Sequence, residues 1–319
     1  MKRTVVTGGA GFIGSSVVRA LLAEGQRVHV IDDLSSGSLD NLEEVANDIT
    51  VHEFDVADYD RIAPVIAGAD RVFHLAAVAS VPKSIHDPVT SHNANLNGTF
   101  NVLRAAAEGK AGRVIFAASS AAYGDAPELP KTEAMLPRPK SPYATQKVCG
   151  EYYMSNFADC FGLETVSLRF FNVFGPRQDP TSAYSGVLSI FMTCLLEQRC
   201  PTIFGDGEQS RDFIFVDDIV NLLLRASTSP APVVSGKVFN AGTGDRHTLN
   251  HVWSLLQKVE GVTLPAKYGP GRTGDIRDSQ ADVSAAIRDL DYRAQYSLED
   301  GLRRTLEWYR AHVQAATTR

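Results

Sequence analysis

The chain has 319 residues, 44% of them hydrophobic, which is enough for a sizeable core and excludes a disordered chain. Its 31 Lys plus Arg against 37 Asp plus Glu leave a net charge of -6, which excludes a global cationic field for nucleic acid or an anionic membrane. The four cysteines, Cys149, Cys160, Cys194 and Cys200, form no C-x-x-C pair and the eight histidines no H-E-x-x-H, so reduced thiols, no metal and a cytoplasmic setting are expected.

Arg3-Thr4-Val5-Val6-Thr7 reads as a first strand and Ile13 to Glu24 as a helix with an apolar stripe of Ile13, Val17, Leu21 and Leu22. Lys2 and Arg3 ahead of an apolar stretch imitate a signal peptide, but glycines interrupt that stretch. No apolar run approaches the ~20 residues that span a bilayer. Between strand and helix lies Gly8-Gly9-Ala10-Gly11-Phe12-Ile13-Gly14, where Gly9, Gly11 and Gly14 satisfy G-x-G-x-x-G in the context that pattern requires. Glycines let a pyrophosphate lie on the backbone, stabilised by free N–H groups and the positive end of the helix dipole. Gly8, Gly11, Phe12, Ile13 and Gly14 are the candidate contacts. Val28-His29-Val30-Ile31 is the next strand and leads into Asp32. A carboxylate about 20 residues past the glycines accepts from the adenosine ribose hydroxyls and repels a 2′-phosphate, so NAD is expected rather than NADP.

Arg71 to Leu75 and Arg113 to Phe116 are further β-branched runs, and their alternation with amphipathic stretches predicts a doubly wound parallel sheet covered on both faces. Pro139-Lys140-Ser141-Pro142-Tyr143 opens a helix, with Ser141 as N-cap and Pro142 at its first position. Tyr143 and Lys147 then stand one turn apart on the same face. A phenol near its reference pKa of ~10 is a poor base, but a neighbouring ammonium and a positive nicotinamide ring favour phenolate. Tyr143 is the candidate general base, and Lys147 the residue that tunes it and holds the nicotinamide ribose. By itself Tyr-x-x-x-Lys is more often packing than chemistry. It gains weight here from the glycine loop and from Ser119-Ser120-Ala121-Ala122-Tyr123-Gly124 after a strand.

After Arg169 glycine and proline punctuate shorter segments, as in a smaller, loop-rich lobe. Residues 1–172 read as the dinucleotide domain and 173–212 with 243–319 as that lobe. The chain is expected back in the first domain at about 213–242, where Phe213 to Val216 and Lys237 to Asn240 each read as strands able to join the main sheet.

These motifs resemble the extended short-chain dehydrogenase/reductase family. The resemblance runs through Thr7 to Gly14, Asp55-Val56, His74-Leu75-Ala76-Ala77, Asn95-Leu96-Asn97-Gly98-Thr99 and Arg169 to Pro176. Within that family the chain is similar to the UDP-sugar 4-epimerases. The resemblance implies a Rossmann fold with a second, smaller substrate-binding lobe, an adenine pocket at Asp55 and Val56, and NAD contacts at Leu75, Ala76, Ala77 and Asn95. It makes Ser119 the catalytic hydroxyl, with Ser120 as fallback and substrate contact, beside Tyr143 and Lys147. It also implies a UDP-sugar substrate held by Asn172, Arg211, Arg272 and Asp275, guanidinium forks being suited to a diphosphate.

In such enzymes the tyrosinate takes the proton of the sugar 4-hydroxyl as hydride leaves C4 for NAD, and the turned 4-keto sugar regains hydride on its other face. Related dehydratases place an Asp-Glu pair after the catalytic hydroxyl, and related decarboxylases a glutamate. Here Ser120 and Ala121 stand there, which favours simple reversible oxidation. Ser279 falls where the sugar 2-substituent is lined, and its small side chain predicts that UDP-N-acetylglucosamine is accepted beside UDP-glucose. Asp179 after Gln178 puts a carboxylate where UDP-glucuronate calls for a cation. A homodimer is also implied, through two helices per subunit that pack as a four-helix bundle, with Val89 to Glu108 and Tyr143 to Phe161 as the candidate helices. The rival readings are a net dehydrogenase, a related epimerase or dehydratase, and a non-catalytic NAD sensor.

Overall fold

The structure is a computed structural model that describes residues 2–179, 186–271 and 276–316. Strands β1 to β6 are Arg3–Thr7, Arg27–Asp32, Ile49–Glu53, Arg71–His74, Arg113–Ser119 and Glu164–Phe170. Among them lie helices α1 (Phe12–Ala23), α2 (Tyr59–Ile66), α3 (Val81–His86), α4 (Pro88–His92), α5 (Gly98–Glu108) and α6 (Pro142–Phe161). The chain continues through β7 (Asn172–Phe174), α7 (Val187–Leu196), β8 (Thr202–Phe204), β9 (Ser210–Arg211), β10 (Phe213–Phe215), α8 (Val216–Thr228) and α9 (Ala231–Val234). It closes with β11 (Lys237–Ala241), β12 (His247–Thr248), α10 (Leu249–Glu260), β13 (Lys267–Gly269), α11 (Ser284–Leu290) and α12 (Leu298–Ala316).

Seven strands form one parallel sheet in the order β11-β6-β5-β4-β1-β2-β3. Side chains alternate across a strand, so neighbours in sequence serve opposite faces. Val6, Phe73 and Ile115 pack with Val17 and Leu21 of α1 and Leu222 of α8. Val5, Val72 and Val114 pack on the other face with Ile62 of α2, Val102 of α5 and Met154 of α6. Burying each such side chain contributes about 1.5–3 kcal/mol. A strand covered on both faces needs an unbroken apolar run, which is the pattern these segments carry. From β1 the chain winds outward to β3, then crosses back to β4 and winds the other way. This reversal beside β1 is the switch point at which such sheets open a crevice.

Two expectations are corrected. Lys237–Ala241 pairs with β6 at the edge of the main sheet, but Phe213–Phe215 pairs with β7 in a separate two-stranded sheet. The rings of Phe213 and Phe215 belong to the aromatic core of the smaller lobe, with Phe174, Phe191 and Trp253. It is α8, directly after them, that returns to the main sheet and packs on α1, β5 and β6. Nor is Val89 to Glu108 one helix: α4 ends at His92, and a π-type turn over Asn93–Asn97 precedes α5. The wide turn carries Asn95 inward.

Candidate active site

A cleft of about 430 Å³ opens at the carboxyl ends of β1, β4 and β5. Gly8, Gly11, Phe12, Ile13 and Gly14 form its base at the first turn. Gly8 takes φ +71°, and a Cβ there would lie 2.7 Å from the Ala76 nitrogen, so two loops meet backbone on backbone. A Cβ on Gly14 would lie 2.0 Å from the Gly8 carbonyl oxygen. Helix α1 begins without a side-chain cap and has no acid in its first turn, which leaves its first N–H groups for an anionic ligand. These features fit a dinucleotide pyrophosphate. Asp32, Asp55, Val56, Leu75, Ala76 and Ala77 line the same cleft. Asp32 accepts from the Ala10 and Leu34 amides, both at 2.9 Å, which holds the glycine loop and the β2 loop together. Burial pushes its pKa up, and those two amides oppose the rise.

The structure places Asn95 behind the loop that follows β4. It is 1% exposed and does not line the cleft. Its Oδ1 accepts from the Val78 amide at 2.7 Å, and its Nδ2 donates to Gln146 Oε1 at 2.8 Å. It braces the loop after β4 from behind, and Val78 is the cleft residue.

Ser119, Tyr143 and Lys147 meet in the cleft from two elements. Ser119 ends β5 and caps the following turn, its Oγ accepting from Ala121 N at 3.2 Å. Ser141 Oγ accepts from Ala144 N at 3.2 Å and starts α6, which brings Tyr143 and Lys147 down one face. The Ser119 hydroxyl faces the Tyr143 phenol and favours its ionised form. Lys147 Nζ donates to the Ala117 carbonyl at 2.8 Å, 6.0 Å from the centre of the Tyr143 ring. Burial is the largest influence on both groups. It raises the Tyr143 pKa and lowers that of Lys147 to about 7. Helical spacing alone does not reveal that depth, so the pair of the protein by itself rests closer to neutral than the spacing suggests.

Ser120 does not line the cleft. In the smaller lobe Asn172, Arg211 and Ser279 gather around Asp212. The Asp212 carbonyl accepts from Asn172 N at 3.0 Å and Nδ2 at 3.1 Å, and Ser279 N donates to the carbonyl of Ser210, the neighbour of Arg211, at 3.1 Å. The fully buried Asp212 carboxylate accepts from Thr243 N, Gly244 N and Ala281 N at 2.8, 3.0 and 3.1 Å. Arg272 and Asp275 lie outside the described residues. Sequence reasoning did not single out Asp212, although it is the chain neighbour of Arg211. It also passed over Asp33, Ser35, Ser36 and Gly37, which line the cleft beyond Asp32 and carry the turn chemistry of such a loop. Gln178 lines the cleft too, and Asp179 is exposed outside it. Among the described residues no group of His, Cys, Asp and Glu has the makings of a metal site, and no helix is long and apolar enough to cross a membrane.

A glycine-cradled cleft at the switch point of a parallel sheet defines a dinucleotide-binding enzyme. The chain matches the model of the NAD dependent epimerase/dehydratase family over residues 4–242. A UDP-glucose 4-epimerase of Mycolicibacterium smegmatis is 36% identical over 319 residues, covering 98% of this chain and 100% of that protein. The solved UDP-N-acetylglucosamine 4-epimerase from Methanobrevibacter ruminantium, in complex with UDP-N-acetylmuramic acid, matches with a TM-score of 0.93 and 38% identity over 97% of this chain and 98% of that one. The UDP-glucose 4-epimerase of Thermotoga maritima with UDP-glucose matches with a TM-score of 0.92 and 36% identity over 98% and 99%. The chain belongs to the NAD dependent epimerase/dehydratase family, and NAD is its cofactor.

Proposed function

We propose that the chain is a 4-epimerase of UDP-hexoses that accepts UDP-glucose and UDP-N-acetylglucosamine. The observation that carries this reading is the convergence of Ser119, Tyr143 and Lys147 in the cofactor cleft, with no carboxylate at Ser120 or Ala121. Bound NAD supplies a hydride acceptor and donor and a positively charged ring beside the phenol. Tyr143 Oη removes the proton of the sugar 4-hydroxyl and later returns one. Ser119 Oγ donates to the same oxygen, and Lys147 holds the nicotinamide ribose and favours the phenolate. Asn172 and Arg211 grip the UDP, with Arg272 and Asp275 as further contacts.

Ser279 is the smallest side chain that keeps a hydroxyl, and it leaves space for an acetamido group. Lys147 is the one cation among the described residues of the cleft, which favours a neutral sugar over UDP-glucuronate. We infer a homodimer from Ile85, Val89, Phe100, Tyr152 and Phe161, apolar side chains exposed on α3 to α6. Light scattering of the protein at micromolar concentration tests it, and a monomer is the contrary result. We also infer a cytoplasmic setting, in which the four cysteines stay reduced.

Proton NMR of the purified protein with each sugar nucleotide tests the activity. The expected result is the matching galacto-sugar, lost in Tyr143→Phe. Formation of a keto product or NADH instead moves the function to a dehydratase or dehydrogenase of the same family.

A further inference from the structure

Below the cleft lies a charged pair that the chemistry above leaves unused. Tyr143, Lys147 and Glu151 follow at one-turn intervals along one face of α6. Lys147 and Glu151 are 3% and 4% exposed. The Lys147 ammonium donates to the neutral carbonyl of Ala117, and Glu151 is the carboxylate that acts on its charge. From β6, Arg169 takes both Glu151 oxygens, Nε donating to Oε1 at 2.8 Å and Nη2 to Oε2 at 2.7 Å. The guanidinium also lies 4.7 Å from the centre of the Tyr123 ring. A buried ion pair seldom stabilises a fold more than well-packed apolar residues do, so stability alone is a poor account of this one.

We propose that Glu151, oriented by Arg169, is the counter-charge that favours the ammonium form of Lys147 beneath the Tyr143 phenol, and is thus a positioning residue for the catalytic set. The inference rests on reading Tyr143 and Lys147 as the acid-base pair. Loss of hydration disfavours an ammonium at this depth, and Glu151 opposes that loss. A neutral amine gives no electrostatic help to a phenolate. The other elements around Lys147 offer no substitute. On β4, His74 is held neutral, its pKa lowered to about 3 by burial and by Lys147 itself. On β5, Ser119 is uncharged, and the Phe116 ring lies 4.8 Å from Nζ, a weak cation–π contact. On β6, Arg169 is itself cationic.

The test is the ultraviolet titration of tyrosinate in NAD-loaded protein, read as the difference between each protein and its Tyr143→Phe counterpart. Glu151→Gln removes the carboxylate. The double variant Glu151→Gln/Arg169→Met removes both charges and leaves no uncompensated ion behind. Wild type should show a Tyr143 midpoint below the ~10 of a free phenol. Both variants should raise that midpoint by about one pH unit. Removing the Glu151 anion acts directly on the phenol with the opposite sign, but the double variant leaves net charge unchanged, so a rise there reports Lys147. In a Lys147→Met background the same changes should produce no rise. An unchanged or lowered midpoint in the double variant overturns the proposal. So does failure of both variants to fold around NAD by circular dichroism, which makes the pair structural. A wild-type midpoint at or above ~10 instead defeats the acid-base reading on which the proposal stands.

Discussion

Gly14→Ala tests the cofactor cradle at its tightest point. The new methyl would start 2.0 Å from the Gly8 carbonyl oxygen, 2.8 Å from the Gly8 carbonyl carbon and 2.8 Å from the Gly9 Cα. Nonbonded heavy atoms sit comfortably at about 3.5 Å, so the turn must open by roughly 1.5 Å. All three neighbours are backbone, and no flexible side chain can yield in their place. Overpacking of this kind costs about 1–3 kcal/mol, equivalent to NAD binding weaker by about 5- to 150-fold. Calorimetric titration of cofactor-stripped protein with NAD measures the affinity, and circular dichroism of the same samples confirms that the sheet persists. NAD affinity equal to wild type in a folded Gly14→Ala protein would mean that the glycine has no part in shaping the cradle.

Ser279→Tyr should fill the space beside the sugar 2-substituent, abolishing turnover of UDP-N-acetylglucosamine while sparing UDP-glucose; an equal loss on both sugars in steady-state assays contradicts the pocket assignment. His74 is bonded on both ring nitrogens, to Thr7 at 2.8 Å and Thr99 at 3.0 Å, and its pKa is lowered to about 3. The unfolded state therefore binds a proton near pH 6.5 that the folded state refuses, so stability is intact above pH 6.5 and falls as pH drops towards 3, by up to ~1.4 kcal/mol per pH unit. His74→Gln should flatten that part of a urea-denaturation pH series, and an unchanged slope removes His74 as the cause.

The cofactor half of this protein was legible in the sequence because its determinants are local. Val5-Val6, Val72-Phe73 and Val114-Ile115 each feed both faces of one sheet, and the glycines act within a single turn. Helical spacing likewise put Tyr143 above Lys147, but it carried no information on depth, which here dominates both protonation equilibria. The smaller lobe was harder to read. Asp212 gathers amides from residues 243, 244 and 281, partners about 30 and 70 positions away in the chain. Phe213–Phe215 has the pattern of a sheet strand, yet the rings that make it apolar belong to another core. Asn95 sits within a family-like run, and only the π-type turn reveals that it faces the back of the cleft loop.

In the proposed reaction, hydride removed from C4 returns to the same carbon from the opposite side while Tyr143 handles only the hydroxyl proton. Incubating the enzyme with UDP-glucose deuterated at C4, in ordinary water, tests it directly by NMR. The expected product is UDP-galactose that keeps deuterium at C4. A galacto product that has exchanged its C4 deuterium for solvent hydrogen would contradict it, as would a 4-keto sugar that accumulates with the deuterium left on the cofactor.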